Sequence, residues 1–333
     1  MAIYRCSKCS FVCEDLVSPT GTKVSCAKCG TVNTLFATAF YVEKLVERYL
    51  AARRELEALK SEDNQDEEAA PNVAATPEQP NPLKDDLHNT NALATTEQHQ
   101  PLDAWFAAKQ IKATFDPRSV DTTGFFDEAA KGIGDRYEFL SGAIEQIRFA
   151  YRKDHSWLNI ELGKKEAKEA QEIQAFFRQL YSHTFFSRYS YKKQTKTLGL
   201  ALQPAQTIRA FFEGGWLEWY VFINLLTLCL ERNREFSCAR GVKIAFQNDE
   251  LRELDVAFLI GKRNPIVVEC KSGEFRGEIE KYVKLRRRLG IDKERFIICS
   301  AELTNEQVTG LTAMYELTFV NLSSLKSHLS IAI

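Results

Sequence analysis

The chain has 333 residues, is 44% hydrophobic and 11% aromatic, and carries a formal net charge of −1. That length allows two or three domains with a sizeable core, and the near-zero charge excludes a global field that would by itself draw in a polyanion. The neutrality is only a total: residues 61–104 hold ten acids against one base, and residues 146–200 hold eleven Lys/Arg against five acids.

The opening residues lack the apolar h-region of a signal peptide. The most apolar run, Trp216 to Leu230, is broken by Glu218 and Asn224 and falls short of the ~20 residues a bilayer requires. Five of the nine cysteines fall in the first 29 residues and the rest are scattered, unlike a secreted disulfide framework. These features predict a cytoplasmic protein without a membrane partner.

Residues 1–36 read as a zinc ribbon. Cys6-x2-Cys9 and Cys26-x2-Cys29 are separated by 16 residues, inside the window for a structural zinc site. Each pair can turn two thiolates onto one metal, and two pairs close a tetrahedron with no open position. Gly30 suits the tight turn behind the second pair. Cys13 is surplus, either an alternative ligand to Cys9 or a bystander. Zn2+ is therefore expected as a structural cofactor, in a module that could hold nucleic acid or a protein partner.

Residues 37–60 read as a helix. Val42, Leu45, Tyr49, Ala52, Leu56 and Leu59 are spaced as a heptad seam, fitting either a short coiled coil or a single amphipathic helix packed on its own chain. Residues 61–104, with Pro71, Pro77, Pro80, Pro82 and Pro101 and few apolar side chains, read as a disordered acidic linker.

Residues 105–210 read as a helical region. One helix runs through Tyr137, Leu140, Ile144, Ile147 and Tyr151, and a second through Ala167, Ile173, Phe176, Phe177 and Leu180. From Phe185 to Lys196 aromatics alternate with bases, including Arg188, Lys192 and Lys193. That mixture suits phosphate contact with base stacking, or an ordinary solvated helix end whose aromatics enter the core.

Beyond Gly214–Gly215 the texture changes. An apolar helix, Trp216 to Leu230, precedes strand-like runs at Val242–Phe246, Leu254–Ile260, Ile266–Cys270 and Phe296–Cys299. A basic helix, Ile279 to Leu289, lies before the last of these; a helix at Thr304–Tyr315 and a strand at Leu317–Val320 follow. This order predicts an α/β domain with a mixed sheet flanked by helices over residues 211–333.

Three charges interrupt the apolar runs: Asp255, Glu269 and Lys271. Burying carboxylates in strands is costly without a partner, and a hard divalent cation, Mg2+ or Mn2+, is a natural one. Glu269 and Lys271, two apart, share a strand face. A lysine there can help activate the attacking hydroxide or stabilise charge developing on phosphate. Glu218, in a helix expected to be buried, either completes the acidic site or meets the helix dipole. On the basic helix, Lys281, Lys284 and Arg288 share a face, as backbone contacts to nucleic acid or as a solvated surface. The histidines show no ligand spacing.

Register decides whether the acids can act together. If the two runs form a hairpin whose paired residue numbers add to 525, Asp255 and Glu269 emerge on opposite faces. With 524 or 526, or with a bulge, they converge.

The runs GGWLE, ELDV, VVECKSG and KLRRRLG resemble the PD-(D/E)XK nuclease domain of Card/Can-type CRISPR ancillary nucleases, over about Phe211 to Ile333. The resemblance implies a restriction-endonuclease-like fold, Mg2+ or Mn2+, a homodimer that cuts nucleic acid, a role in defence, and Glu218, Asp255, Glu269 and Lys271 as active-site residues. Two departures are visible. No Rossmann-like repeats of a CARF domain precede it, so control by a cyclic oligonucleotide is not implied, and Trp219 stands where a second acid often follows the helix glutamate. The competing reading is a catalytically inactive zinc-ribbon adaptor.

Overall fold

The computed structural model describes residues 2–6, 8–9, 11–39, 93, 95–116, 125–248, 250–261 and 265–333. They fall into two units, Met1–Glu78 and Gln79–Ile333. The heptad seam from Val42 to Leu59 and most of the expected linker, 61–92, lie outside the described residues.

In the first unit, β1 (Ala2–Arg5) pairs antiparallel with β2 (Val12–Asp15), while β3 (Lys23–Ser25) and β4 (Val32–Thr34) form a second hairpin. The short β5 (Phe36–Ala37) joins the free edge of β1. Among the described residues its hydrophobic core is small: Ala2, Tyr4, Leu35 and two of its cysteines, Cys6 and Cys26.

The first described α-helix of the second unit is α1 (Thr96–Ala107). The last residues expected to be disordered are therefore helical. Thr95 caps the helix by accepting the Gln98 N–H, and Leu102 and Phe106 are buried. Composition hid this helix, because its anchors are few and follow a proline-rich stretch. In chain order come β6 (Lys112–Thr114), α2 (Phe125–Asp135), α3 (Tyr137–Arg152), β7 (Trp157–Glu161), α4 (Ala167–Ser182), β8 (Phe186–Lys192), β9 (Thr197–Leu202) and α5 (Gln206–Ala210). Then follow α6 (Trp216–Glu231), β10 (Phe236–Ala245), β11 (Leu251–Ile260), β12 (Ile266–Lys271), α7 (Ile279–Leu289), β13 (Phe296–Ser300), α8 (Asn305–Met314), β14 (Thr318–Val320) and α9 (Leu322–Ala332).

The region expected to be helical thus also holds a three-stranded antiparallel sheet, ordered β7-β9-β8. Phe185–Lys196, weighed as a helix end, instead forms strand and turn. Along β8, Tyr189 and Tyr191 are half-buried against the core while Arg188, Ser190 and Lys192 are exposed. This is the period-2 alternation of a one-sided strand. A single core runs across the boundary expected at residue 210, joining Ile144, Phe177 and Leu200 to Phe212, Phe222 and Val268.

The main sheet has six strands in the order β14-β13-β12-β11-β10-β6. β12, β13 and β14 are parallel, with α7 and α8 in the connections, and the remaining pairs are antiparallel. Helices on both faces explain the nearly unbroken apolar runs of β11 and β12, as expected of strands covered on two sides. One face packs against α6, which is buried almost all round, and the other against α1 and α7.

The alternation along β10 and β11 slips at one point. Ala239 and Val242 share the core on the α7 side although three residues apart, and so do Leu254 and Ala257. Gly241 lies between the first pair with φ +64, a backbone conformation that suits glycine. Across from it stands Asp255: the β10–β11 register, Arg240↔Val256 and Val242↔Leu254, places the two opposite each other. Both strands change phase together, and the change falls on the first acid of the motif.

Candidate metal centres

In the first unit, Cys6 and Cys29 place their Sγ atoms 3.4 Å apart, and Cys9 and Cys26 are 3.6 Å apart. All four sulfurs lie within 4.8 Å of one another, the one such group of three or more ligand side chains among the described residues. Zn–S bonds of about 2.3 Å set the sulfurs of a tetrahedron roughly 3.8 Å apart, so the four thiols fit a zinc ion. The local backbone is built for it. Cys6 N–H donates to Phe11 O and Cys26 N–H to Thr31 O, both at 2.8 Å. Lys28 N–H approaches Cys26 Sγ at 3.4 Å. Gly30 takes φ +73, the turn expected behind the second pair. Backbone N–H groups of Cys9 and then Lys8 draw the Cys6 thiol down to about 6, against the cost of its burial. Cys13 stands apart, its Sγ 3.6 Å from Glu14 O.

In the second unit, the β11–β12 pairs Val256↔Val268, Ala257↔Val267 and Phe258↔Ile266 all have residue numbers adding to 524. Carried one step further, that register sets Asp255 opposite Glu269. Here the strands part. Instead of continuing the backbone ladder, Asp255 Oδ2 accepts the Cys270 N–H at 2.7 Å. The carboxylate fills the opening between β11 and β12, where the phase slip delivers it. Lys271 Nζ closes the group, 3.3 Å from Asp255 Oδ2 and 3.1 Å from Glu269 Oε2. The structure therefore brings Asp255, Glu269 and Lys271 together.

Glu269 follows the parity of Val267, toward α7, and Lys271 Nζ lies 5.0 Å from the centre of the Tyr282 ring on that helix. Tyr282 was not singled out in the sequence, since a tyrosine in a basic helix reads as an ordinary core residue. Glu269 is 3% exposed and its Oε1 has no hydrogen-bond partner among the described residues. Burial first, then the nearby Asp255 charge, push its carboxyl up to about 8, opposed by Lys271. Burial lowers the Lys271 ammonium, but Glu269 and Asp255 outweigh it and leave the pKa above the usual lysine value. A buried carboxylate oxygen with an open lone pair, beside a second carboxylate, is a donor set that fits a divalent cation.

Glu218 arrives from the first turn of α6, on the opposite side of the sheet. The entry to that helix is fixed by a turn at Phe211–Gly215 in which Gly214 has φ +150. Any β-carbon there would meet Ser272 Oγ at 2.3 Å, so glycine lets the helix start close against the end of β12. Ser272 Oγ donates to Glu213 O at 3.2 Å across this contact. Glu218 accepts from Arg240 at 2.7 Å, and the Arg240 guanidinium lies 3.9 Å from the Trp219 ring centre. Trp219 thus supports the cation that holds Glu218. Burial raises Glu218 to about 7, with Arg240 opposing and Asp255 adding to the rise. The three carboxylates do not form one 4.8 Å group: Glu218 is coupled to Asp255 electrostatically and occupied by Arg240. Arg240 was missed because nothing separates it from any other strand arginine until the fold pairs it.

Lys281, Lys284 and Arg288 lie along α7, with Lys281 Nζ 5.6 Å from the same Tyr282 ring. Lys192 and Lys193 lie at the β8–β9 end of the three-stranded sheet.

No family model matches the chain, and no curated protein sequence matches it. Among solved structures, protein VC1899 from Vibrio cholerae is similar over 69% of this chain and 60% of its own, with 19% identity and a TM-score of 0.49. Can2 from Sulfobacillus thermosulfidooxidans, solved in complex with cyclic tetra-adenylate, is similar over 68% of this chain and 59% of its own, with 16% identity and a TM-score of 0.49. The chain thus spans about 60% of the length of each. No described helix is long and apolar enough to cross a membrane.

Proposed function

We propose that the Gln79–Ile333 unit is a metal-dependent endonuclease of the PD-(D/E)XK type, hydrolysing phosphodiester bonds of nucleic acid. One observation carries this reading. Two carboxylates from adjacent strands meet at one lysine, and one of them keeps a buried oxygen without a hydrogen-bond partner among the described residues. Asp255 and Glu269 would hold Mg2+ or Mn2+. Such an ion, when bound, supplies Lewis acidity toward a phosphoryl oxygen and lowers the pKa of water.

The chain's own groups do the rest. Lys271, held cationic by its two acids, acts as a fixed positive charge for the negative charge that develops on phosphate oxygens, not as a base. Asp255, tied to the Cys270 N–H, is prevented from rotating away. Glu218 adds negative charge from α6, and Arg240 sets its position. The first unit binds Zn2+ through Cys6, Cys9, Cys26 and Cys29, a closed four-thiolate site with a structural role, and serves recruitment to nucleic acid or to a protein partner. A homodimer working in the cytoplasm, in defence, belongs to the same reading.

The deciding experiment incubates purified full-length protein with single- and double-stranded DNA and RNA. It compares Mg2+, Mn2+ and no added metal, beside Lys271→Ala. Metal-dependent cleavage lost in the variant supports the assignment. Cleavage by wild type and variant alike points to a contaminant and sinks it.

A further inference from the structure

A cavity of about 450 Å³ opens beside α7, against the turn joining β10 to β11, and its lining includes Phe246, Glu250, Arg252, Lys281, Lys284 and Arg288. Four of these six side chains are cationic and one is anionic. That one acid is gripped from two sides. Arg252 donates through Nε at 2.9 Å and through a terminal nitrogen at 2.6 Å to Glu250 Oε1. Arg288 donates to the other oxygen of the same carboxylate. Arg288 is further fixed by Asn248 Oδ1 at 2.7 Å and by the Phe246 ring, 3.6 Å from its guanidinium carbon to the ring centre. Lys284 makes no ion pair among the described residues, and Lys281 pairs with Glu278 at 3.2 Å.

Two guanidiniums converging on one anion is the arrangement that recognises phosphate as well as carboxylate. Their hydrogen bonds hold the Glu250 carboxyl below its ordinary pKa, so the anion is present throughout the neutral range. One cavity residue stands near the carboxylate centre. Lys281 of the cavity and Lys271 of the centre both approach the ring of Tyr282, at 5.6 and 5.0 Å.

We propose that this cavity binds the phosphate backbone of a nucleic-acid strand leading to Lys271, and that Glu250 is an internal anion which the strand displaces from Arg252 and Arg288. The proposal rests on the nuclease reading for its substrate class. It adds a self-competing site: the protein's own carboxylate occupies the backbone cradle and sets a threshold for polyanion binding.

The test measures binding of short fluorescein-labelled single- and double-stranded DNA and RNA across a salt series. Full-length protein carries Lys271→Ala, so that cleavage does not erode the signal. Glu250→Gln is expected to tighten binding about threefold to tenfold. Arg252→Ala with Arg288→Ala should weaken it by about tenfold or more and flatten the log K against log salt slope by about 0.7–0.9 per lost phosphate contact. Lys284→Glu, on an exposed side chain with no ion pair among the described residues, should weaken binding with no change in melting temperature, which keeps the test sound if the arginine variants misfold. Unchanged affinity in Glu250→Gln and Lys284→Glu overturns the cradle, as does absence of binding by the parent protein. Cleavage with Lys271 restored is read separately. Cleavage without any effect of the cavity variants leaves the nuclease standing and removes the cradle; altered binding without cleavage does the reverse.

Discussion

Asp255 accepts the Cys270 backbone N–H at 2.7 Å, so one carboxylate both completes a sheet ladder and faces a catalytic lysine candidate. The two roles separate by substitution. Asp255→Asn keeps an acceptor oxygen and should preserve the fold, with a melting temperature within a few degrees of wild type, while abolishing metal-dependent cleavage. Asp255→Ala leaves the Cys270 N–H without its partner and should cost about 1–3 kcal/mol in addition, read by denaturant unfolding. Equal stability of the two variants would show that the hydrogen bond contributes nothing.

Lys271→Ala should lower cleavage by at least about 10²-fold, the order expected for loss of one preorganised group that stabilises transition-state charge. Lys271→Arg keeps the charge but cannot place a wider guanidinium between two acids 3.1 and 3.3 Å away, and should recover little. Single-turnover rates with Mn2+ measure both.

The pH dependence has a definite sign. Glu269 and Glu218 are raised to about 8 and about 7 in the folded state, burial being the first cause in each, against about 4.3 unfolded. The folded state therefore binds more protons. Their contribution is full below the unfolded value and is lost as pH rises through 7 to 8. With Mg2+ and Mn2+ withheld, thermal stability should fall from pH 5 to pH 9, and Glu269→Gln should flatten the fall. Added Mn2+ should stabilise more at the high end, since metal binding requires the deprotonated acids. A Mn2+ effect that is constant across pH would remove these carboxylates from the metal site.

Purified protein should contain about one zinc per chain, measured by elemental analysis. Cys29→Ser should release it and unfold residues 1–36, while the thermal transition of the Gln79–Ile333 unit is preserved, since that unit has its own core. Full zinc content in the variant would refute the four-thiolate site.

Local signals were legible where chemistry fixes spacing. The two cysteine pairs converge as their separation implies, and the β11–β12 register takes the value that brings Asp255 to Glu269. Elements set by distant contacts were not. β6 is three residues long at the sheet edge, and the small sheet depends on β9 lying between β7 and β8. The strands themselves are only five to seven residues long, so their alternation is brief beside the longer helical periods of α3 and α4 that flank β7. Glu218 was legible as a buried acid that needs a partner. That the partner is Arg240, on the strand that follows the helix, follows from topology and not from spacing.

The slip of phase at Gly241 makes the carboxylate centre depend on a residue with no side chain. A β-carbon at φ +64 would favour an ordinary pleat, with a strain on the order of 1 kcal/mol. A regular pleat would swing the Asp255 carboxylate out of the opening it now fills. Inactivation could therefore arise from a change that touches no ligand, no lysine and no substrate, and that a survey of the four acidic and basic positions would score as intact.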